Sequence, residues 1–256
     1  MVFSKSKTLL AFFGALGTAL SVAAPSQAFD LYFGEDLNFN GTENTRPRLT
    51  TTPNATAAEN AFLSRFDNVG TATFDNLALG TSSDLDLFFE GAATATLSGS
   101  GKVSDSTENG LHSISGDKFW LTAAGKNDGF RVDFDDAVAG FGFFATDIGD
   151  VGATVQIELG LANGGTQVID FPHQTTSGQS GSVLYQGIIA ENEDELFTSV
   201  RFSTKNGGND GFGFDNLTVG SFNQLDDDTV STPEPGLMLG FALLGLVGAK
   251  AKRKQK

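Results

Sequence analysis

Four acidic residues raise the first chemical question in this chain. Asp75 stands in Phe74-Asp75-Asn76-Leu77 and Asp215 in Phe214-Asp215-Asn216-Leu217, so one block occurs at two distant places. Asp147 and Asp150 flank Gly149 in the stretch 146–150. Oxygen donors of this kind suit a hard cation, and calcium takes roughly six to eight of them. If the first and last strands of a sandwich lie side by side, Asp75 and Asp215 can share such an ion. Asp and Asn also close turns by bonding their own backbone, and no continuous calcium loop is present. Asp226-Asp227-Asp228 reads as a charge run in a linker. Calcium ligation and turn chemistry therefore both stand as readings of Asp75, Asp215, Asp147 and Asp150.

Catalytic signals are weaker. His112 and His173 are the only histidines, and neither has a metal-ligand spacing. Nothing resembles a nucleophile elbow. Gly140-Phe141-Gly142 lacks the following glycine and the strand-to-helix setting of a phosphate loop. Carboxylate pairs for glycoside hydrolysis carry no signal in a chain this acidic. The expectation is a protein without a catalytic site, and the competing class is a secreted hydrolase of matrix polysaccharide. Glycan binding needs aromatic faces. Trp120 and Tyr185, with Phe119, are the candidates, although Trp120 also suits a core position.

The elements that must position these residues are short strands. Phe numbers 24 and Gly 32, against six Pro, one Trp and two Tyr, so Phe must supply most of the core aromatics. Phe and Gly alternate with Thr, Ser, Val and Asp between turn residues, as in sheets joined by tight turns. The alternation puts Phe141/Phe143, Phe130/Val132/Phe134 and Phe212/Phe214 on inward faces. Residues 29–54 read as an irregular lead-in with one strand near 31–33. One helix is expected at 55–66, capped by Thr52 or Asn54, with Ala58, Phe62 and Phe66 forming a stripe that docks on a sheet. Strands are expected at 71–79, 84–97 with a break near Gly91, 118–122, 129–134, 138–146, 153–161, 167–171, 182–190, 196–203 and 211–219. Residues 102–111 read as polar loop, and Asn163-Gly164-Gly165 is a hairpin turn. The fold class expected is all-β, a two-sheet β-sandwich of jelly-roll type over residues 55–220.

The two ends read as addresses. Lys5 and Lys7, the apolar stretch 9–24 and Ser26-Gln27-Ala28 form a secretory signal peptide cleaved after Ala28. An acidic linker, 221–231, leads to Pro233-Glu234-Pro235, an apolar span 236–249 and a tail with Lys250, Lys252, Arg253, Lys254 and Lys256. The 14-residue span would make a helix of roughly 21 Å at about 1.5 Å per residue, short of the roughly 30 Å hydrocarbon core. Its basic flank leaves the rest of the chain outside the membrane. A short span after a Pro-Glu-Pro turn has the build of a removable anchor.

Turn, span and basic end together resemble the PEP-CTERM sorting signal of bacterial surface proteins. Four internal blocks resemble, in order, segments of the same proteins: Ala61-Phe62-Leu63, Thr73-Phe74-Asp75-Asn76-Leu77, Ala139-Gly140-Phe141-Gly142-Phe143 with the stretch 146–150, and 210–217. The resemblance implies processing by signal peptidase and by an exosortase acting on Pro233, Glu234 and Pro235. It implies a transient stay in the inner membrane, then release to the cell surface or extracellular polysaccharide matrix. It also implies a β-sandwich with carbohydrate-binding character and no common enzymatic activity.

Charge narrows the partners. Residues 29–235 hold nine basic and 31 acidic residues, a net charge of −22. Such a surface repels nucleic acid and anionic headgroups and admits neutral glycans or divalent cations. With no cysteine, no disulfide staples the fold.

Overall fold

The structure, a computed structural model, describes residues 29–39, 48–123, 129–149, 154–170, 172–175, 179–205 and 211–226. The expected signal peptide, the Pro-Glu-Pro tail and Asp150 lie outside them.

Two antiparallel sheets face each other. The first has the order β1-β11-β8-β13-β6-β5, with β2 also paired to β13. Its strands are β1 (Asp30–Asp36), β2 (Gly70–Ala72), β5 (Lys102–Ser104), β6 (Phe119–Ala123), β8 (Gly140–Thr146), β11 (Val183–Ile189) and β13 (Gly211–Gly220). The second has the order β10-β9-β12-β7-β4-β3. Its strands are β3 (Leu85–Phe89), β4 (Ala93–Gly99), β7 (Gly129–Val138), β9 (Thr154–Leu161), β10 (Thr166–Asp170) and β12 (Phe197–Lys205). The β9–β10 hairpin turns where Asn163-Gly164-Gly165 directs it. Gly164 has φ +88°, and Leu161 N–H bonds Gly165 O at 2.8 Å.

The core between the sheets is phenylalanine. Phe130 stacks on Phe202 with centroids 4.3 Å apart, and Phe214 and Phe143 meet Phe202 edge-on at 5.1 and 5.0 Å. Edge-to-face and offset pairs are the favoured aromatic geometries. The three alternating sets expected from the sequence are all buried here.

A third layer follows from the glycines. Helix α1 (Pro53–Leu63) lies on the outer face of the first sheet, with Ala55, Ala58 and Phe62 against Ala139, Phe144, Tyr185 and Ile189. A Cβ at Gly187 would lie 2.5 Å from Phe62, and one at Gly140 or Gly220 2.4 Å from Phe66. A bare backbone is therefore what lets the helix approach. In Gly140-Phe141-Gly142-Phe143 the phenylalanines fill the sandwich while the glycines floor the helix.

Some boundaries move. The helix ends at Leu63, and Thr52, its N-cap residue, makes no side-chain cap bond. Asp36 at the end of β1 accepts the N–H groups of Asn54 (3.2 Å) and Ala55 (2.9 Å) instead. A carboxylate from a neighbouring strand thus satisfies the orphan donors and suits the helix dipole. The stretch expected at 71–79 keeps only Gly70–Ala72 as strand, while Lys102–Ser104, expected as loop, pairs with β6. Residues 30–36 are an integral strand, and Phe29 just before it packs on Phe197 at 6.4 Å. No helix among the described residues is long and apolar enough to cross a membrane.

Candidate functional site

Trp120 and Tyr185 offer no face to a sugar: both are 0% exposed. Trp120 points into the sandwich, stacked on Phe74 at 6.1 Å and edge-on to Phe130 at 6.3 Å. Tyr185 lies under the helix, 6.0 Å from Phe62 and 5.0 Å from Phe144. Phe119, on the opposite face of β6 from Trp120, is also fully buried. Strict alternation would expose one of that pair. It fails because the first sheet is covered on both faces, by the second sheet inside and by α1 and the 105–118 loop outside.

That loop is where the predicted acidic residues gather. Asp215 is 1% exposed and accepts Ile114 N–H (2.8 Å) and Ser115 N–H (3.1 Å) on Oδ2, with Asn216 N–H (2.8 Å) on Oδ1. Asn216, at φ +48° in a β-bulge, accepts Ser115 Oγ–H at 2.5 Å. Asp75 Oδ1 accepts Asp117 N–H (2.9 Å) and Lys118 N–H (3.1 Å), and Lys118 Nζ donates to the carbonyls of Asp75 and Leu77, each at 2.7 Å. A Cβ at Gly116 would sit 2.2 Å from Asp75 Oδ2, so Asp75 can close on the turn only where the side chain is absent. Asp147, at φ +68°, accepts Gly181 N–H at 2.8 Å, and Gly110 packs against that carboxylate.

Asp75 and Asp215 thus meet, as the repeated block suggested, but on a loop's backbone. Their oxygens bind N–H groups, and turn chemistry accounts for both. Among the described residues no group of three His, Asp or Glu side chains is arranged to hold a metal ion. Burial raises Asp215 to about 6, opposed by its three N–H donors and reinforced by the nearby Asp75 charge.

The clamped loop encloses a cavity of about 530 Å³ walled by Arg48, Asp105, Ser106, His112, Ser113 and Asp117, among others. A second depression of about 420 Å³ shares Arg48 and His112 and continues along Thr50, Thr51 and Thr52. Arg48 Nη2 donates to Ile114 O at 3.0 Å, which fixes the guanidinium between the two. His112 is 4% exposed, with Nδ1 3.1 Å from Gly110 O. A carbonyl only accepts, so Nδ1 carries the proton and Nε2 the lone pair. Burial pulls the imidazole down to about 4, and Arg48 adds to the fall, so it is neutral at pH 7. His112 is therefore a buried, neutral imidazole that donates from Nδ1 to the Gly110 carbonyl.

Phe39 is an exposed aromatic, 71% accessible. Its neighbour Asn38 is buried and donates its N–H to Ser182 Oγ at 3.0 Å. A Cβ on Gly181, a wall residue of the first cavity, would lie 3.1 Å from Asn38 Nδ2. The backbone just before Phe39 is thus anchored next to Gly181, although Phe39 itself does not line the cavity. Sequence reasoning passed over it because residues 29–54 read as lead-in; the available signal was a lone aromatic between two asparagines, outside any alternating run.

No family model matches this chain, and no curated protein does either. Among solved structures, the chain is similar to the C-terminal family 22 carbohydrate-binding module of Clostridium thermocellum Xyn10B. That match has 14% identity, covers 63% of this chain and 98% of the other, and has a TM-score of 0.36. It is also similar to a xylan-binding domain from Paenibacillus barcinonensis Xyn10C (13% identity, 59% and 91% covered, TM-score 0.36). A third is the K2 cleaved adhesin domain of Lys-gingipain (8% identity, 59% and 99% covered, TM-score 0.36). Likeness this loose bears on neither ligand nor activity.

Proposed function

We propose that this chain is an exported surface or matrix protein that binds a neutral glycan, without catalysis, in the cavity beneath the 105–118 loop. The observation that carries the reading is the cavity's chemistry. A guanidinium bonded to the loop backbone, a neutral imidazole, Ser and Thr hydroxyls and two carboxylates line one cavity, and the exposed Phe39 follows Asn38, which is anchored next to the wall residue Gly181. Sugar hydroxyls need donors and acceptors in fixed positions, and the C–H face of a pyranose packs on an aromatic ring. Three buried or part-buried carboxylates clamp the loop, so the hydrogen-bonding groups are preorganised. The export and sorting part rests on the two ends: signal peptidase acts after Ala28 and an exosortase on the Pro233-Glu234-Pro235 signal.

A glycan array with a parallel hydrolysis screen tests the binding reading. Saturable binding without turnover is expected. Phe39→Ala should weaken it about tenfold, roughly 1.4 kcal/mol, with no change in melting temperature, because the ring is in solvent. Binding unaffected by Phe39→Ala would place the site elsewhere. The hydrolase reading keeps one observation in its favour: Asp105 and Asp117 line the same cavity. Turnover abolished by Asp105→Asn or Asp117→Asn would replace binding with glycoside hydrolysis.

A further inference from the structure

The second sheet leaves its outer face open, and two arginines sit side by side on it. The register pairs Arg201 of β12 with Arg131 of β7 on one flank and with Glu158 of β9 on the other. Both arginines are exposed. Like charges directly opposite on a sheet face destabilise it. The arrangement is more notable because only nine cations serve residues 29–235, against 31 acids. Arg131 Nε donates to Asp133 at 2.6 Å, which leaves its terminal nitrogens outward. Arg201 forms no ion pair among the described residues, although Glu158 is its register partner. A depression of about 400 Å³ runs over this pair, with Ser98, Gln156 and Ser203 adding hydroxyl and amide groups.

We propose that Arg131 and Arg201 together hold the carboxylate of an acidic sugar residue within a largely neutral glycan. Guanidinium forks bind carboxylates bidentately, and a cross-strand pair presents two of them to one anion. Asp133 and Glu158, with Asp170 bonded by Gln156 Nε2 at 3.0 Å at its edge, offset the two guanidinium charges, so the patch offers directed N–H donors and little net charge. A single carboxylate fits that balance. A densely charged polyanion does not, because the remaining surface at −22 repels it. The neighbouring hydroxyl and amide groups then take the sugar's uncharged oxygens. The site is separate from the loop cavity and shares with it only the ligand class.

The test uses the full chain in detergent micelles and three probes. These are a neutral-hexose oligosaccharide ending in one glucuronate, its carboxyl-reduced form, and the same oligosaccharide ending in a sulfate ester. The acid probe should bind roughly tenfold more tightly than the reduced one. Arg201→Gln should erase that preference, Arg201→Lys should keep part of it, and neither should lower the melting temperature. Equal affinity for the acid and reduced probes would overturn the proposal. So would a preference that survives Arg201→Gln, or a sulfate probe that binds better than the carboxylate. Phe39→Ala should leave the acid preference intact, so failure of the cavity reading is distinguishable from failure of this one.

Discussion

At the residue scale, carboxylates in this protein act mainly on backbone. Asp36 caps a helix, and Glu35 accepts the N–H groups of Gln174 (2.6 Å) and Thr175 (3.2 Å). Asp75, Asp147 and Asp215 fasten the loops around the cavity. An acidic side chain is suited to this because a charged acceptor makes a stronger bond to an N–H than a neutral one does. Asp215 and His112 oppose each other in their dependence on pH. Asp215 has a raised pKa, so the stability it contributes is full below its ordinary value of 3.8 and is lost as pH rises through about 6. His112 has a lowered pKa, so its contribution is full above its ordinary 6.5 and is lost as pH falls toward about 4. Between those limits the two slopes largely cancel. From about pH 4 to 6 these two groups together should therefore add little net slope to the protein's stability. Asp215→Asn should make stability rise with pH over that window, and His112→Gln should make it fall, each by on the order of 2 kcal/mol. Urea titrations at both ends of the window measure this; parallel slopes in the two variants would refute the assignment.

At the element scale, the helix and the first sheet fit through absent side chains. Gly187→Ala should cost about 1–3 kcal/mol, because the added methyl would lie 2.5 Å from Phe62. In a Phe62→Ala background the same change should cost under about 1 kcal/mol, since the clash partner is gone. A double-mutant cycle by chemical denaturation reads the coupling, and additive costs would mean that Gly187 is needed for some other reason. The docked helix also accounts for the buried hydroxyl of Tyr185. That group has no hydrogen-bond partner among the described residues, and burial raises its pKa. Packing against Phe62 and Phe144 compensates for an unsatisfied polar atom.

At the scale of the whole molecule, the two sheets have different exposures and so different roles. The first is covered on both faces and carries the loop cavity at its outer side. The second keeps one face to water and carries the arginine pair there. Both sites lie on a body whose net charge of −22 disfavours nucleic acid and anionic membranes. In the proposed reading, delivery of that body falls to the ends. Replacing Pro233-Glu234-Pro235 with alanines should retain the precursor in the membrane, because the turn presenting the cleavage site is lost while the apolar span remains. Mass spectrometry of the surface material reads the outcome. A mature chain intact through Lys256 would refute sorting by cleavage.

The sequence by itself determined the all-β class, the docking stripe Ala58/Phe62/Phe66, the inward phenylalanines and the hairpin at Asn163-Gly164-Gly165. These depend on period and turn chemistry, which are local. It also placed Asp75 and Asp215 in equivalent blocks, and they do converge. Only the tertiary structure decided what they converge on. A carboxylate's partner is set by which loop folds over it, and the residues 113–118 bring their N–H groups from about a hundred positions away from Asp215. The aromatics show the same limit. Trp120 is buried between the sheets, whereas Phe119 and Tyr185 are buried because a helix and a loop cover the second face of their sheet, and alternation along one strand carries no record of that cover. Phe39 shows the complementary case: its neighbour Asn38 is buried and anchored on Ser182, 144 residues away, while the ring itself stays exposed, a contrast that only the assembled loops create.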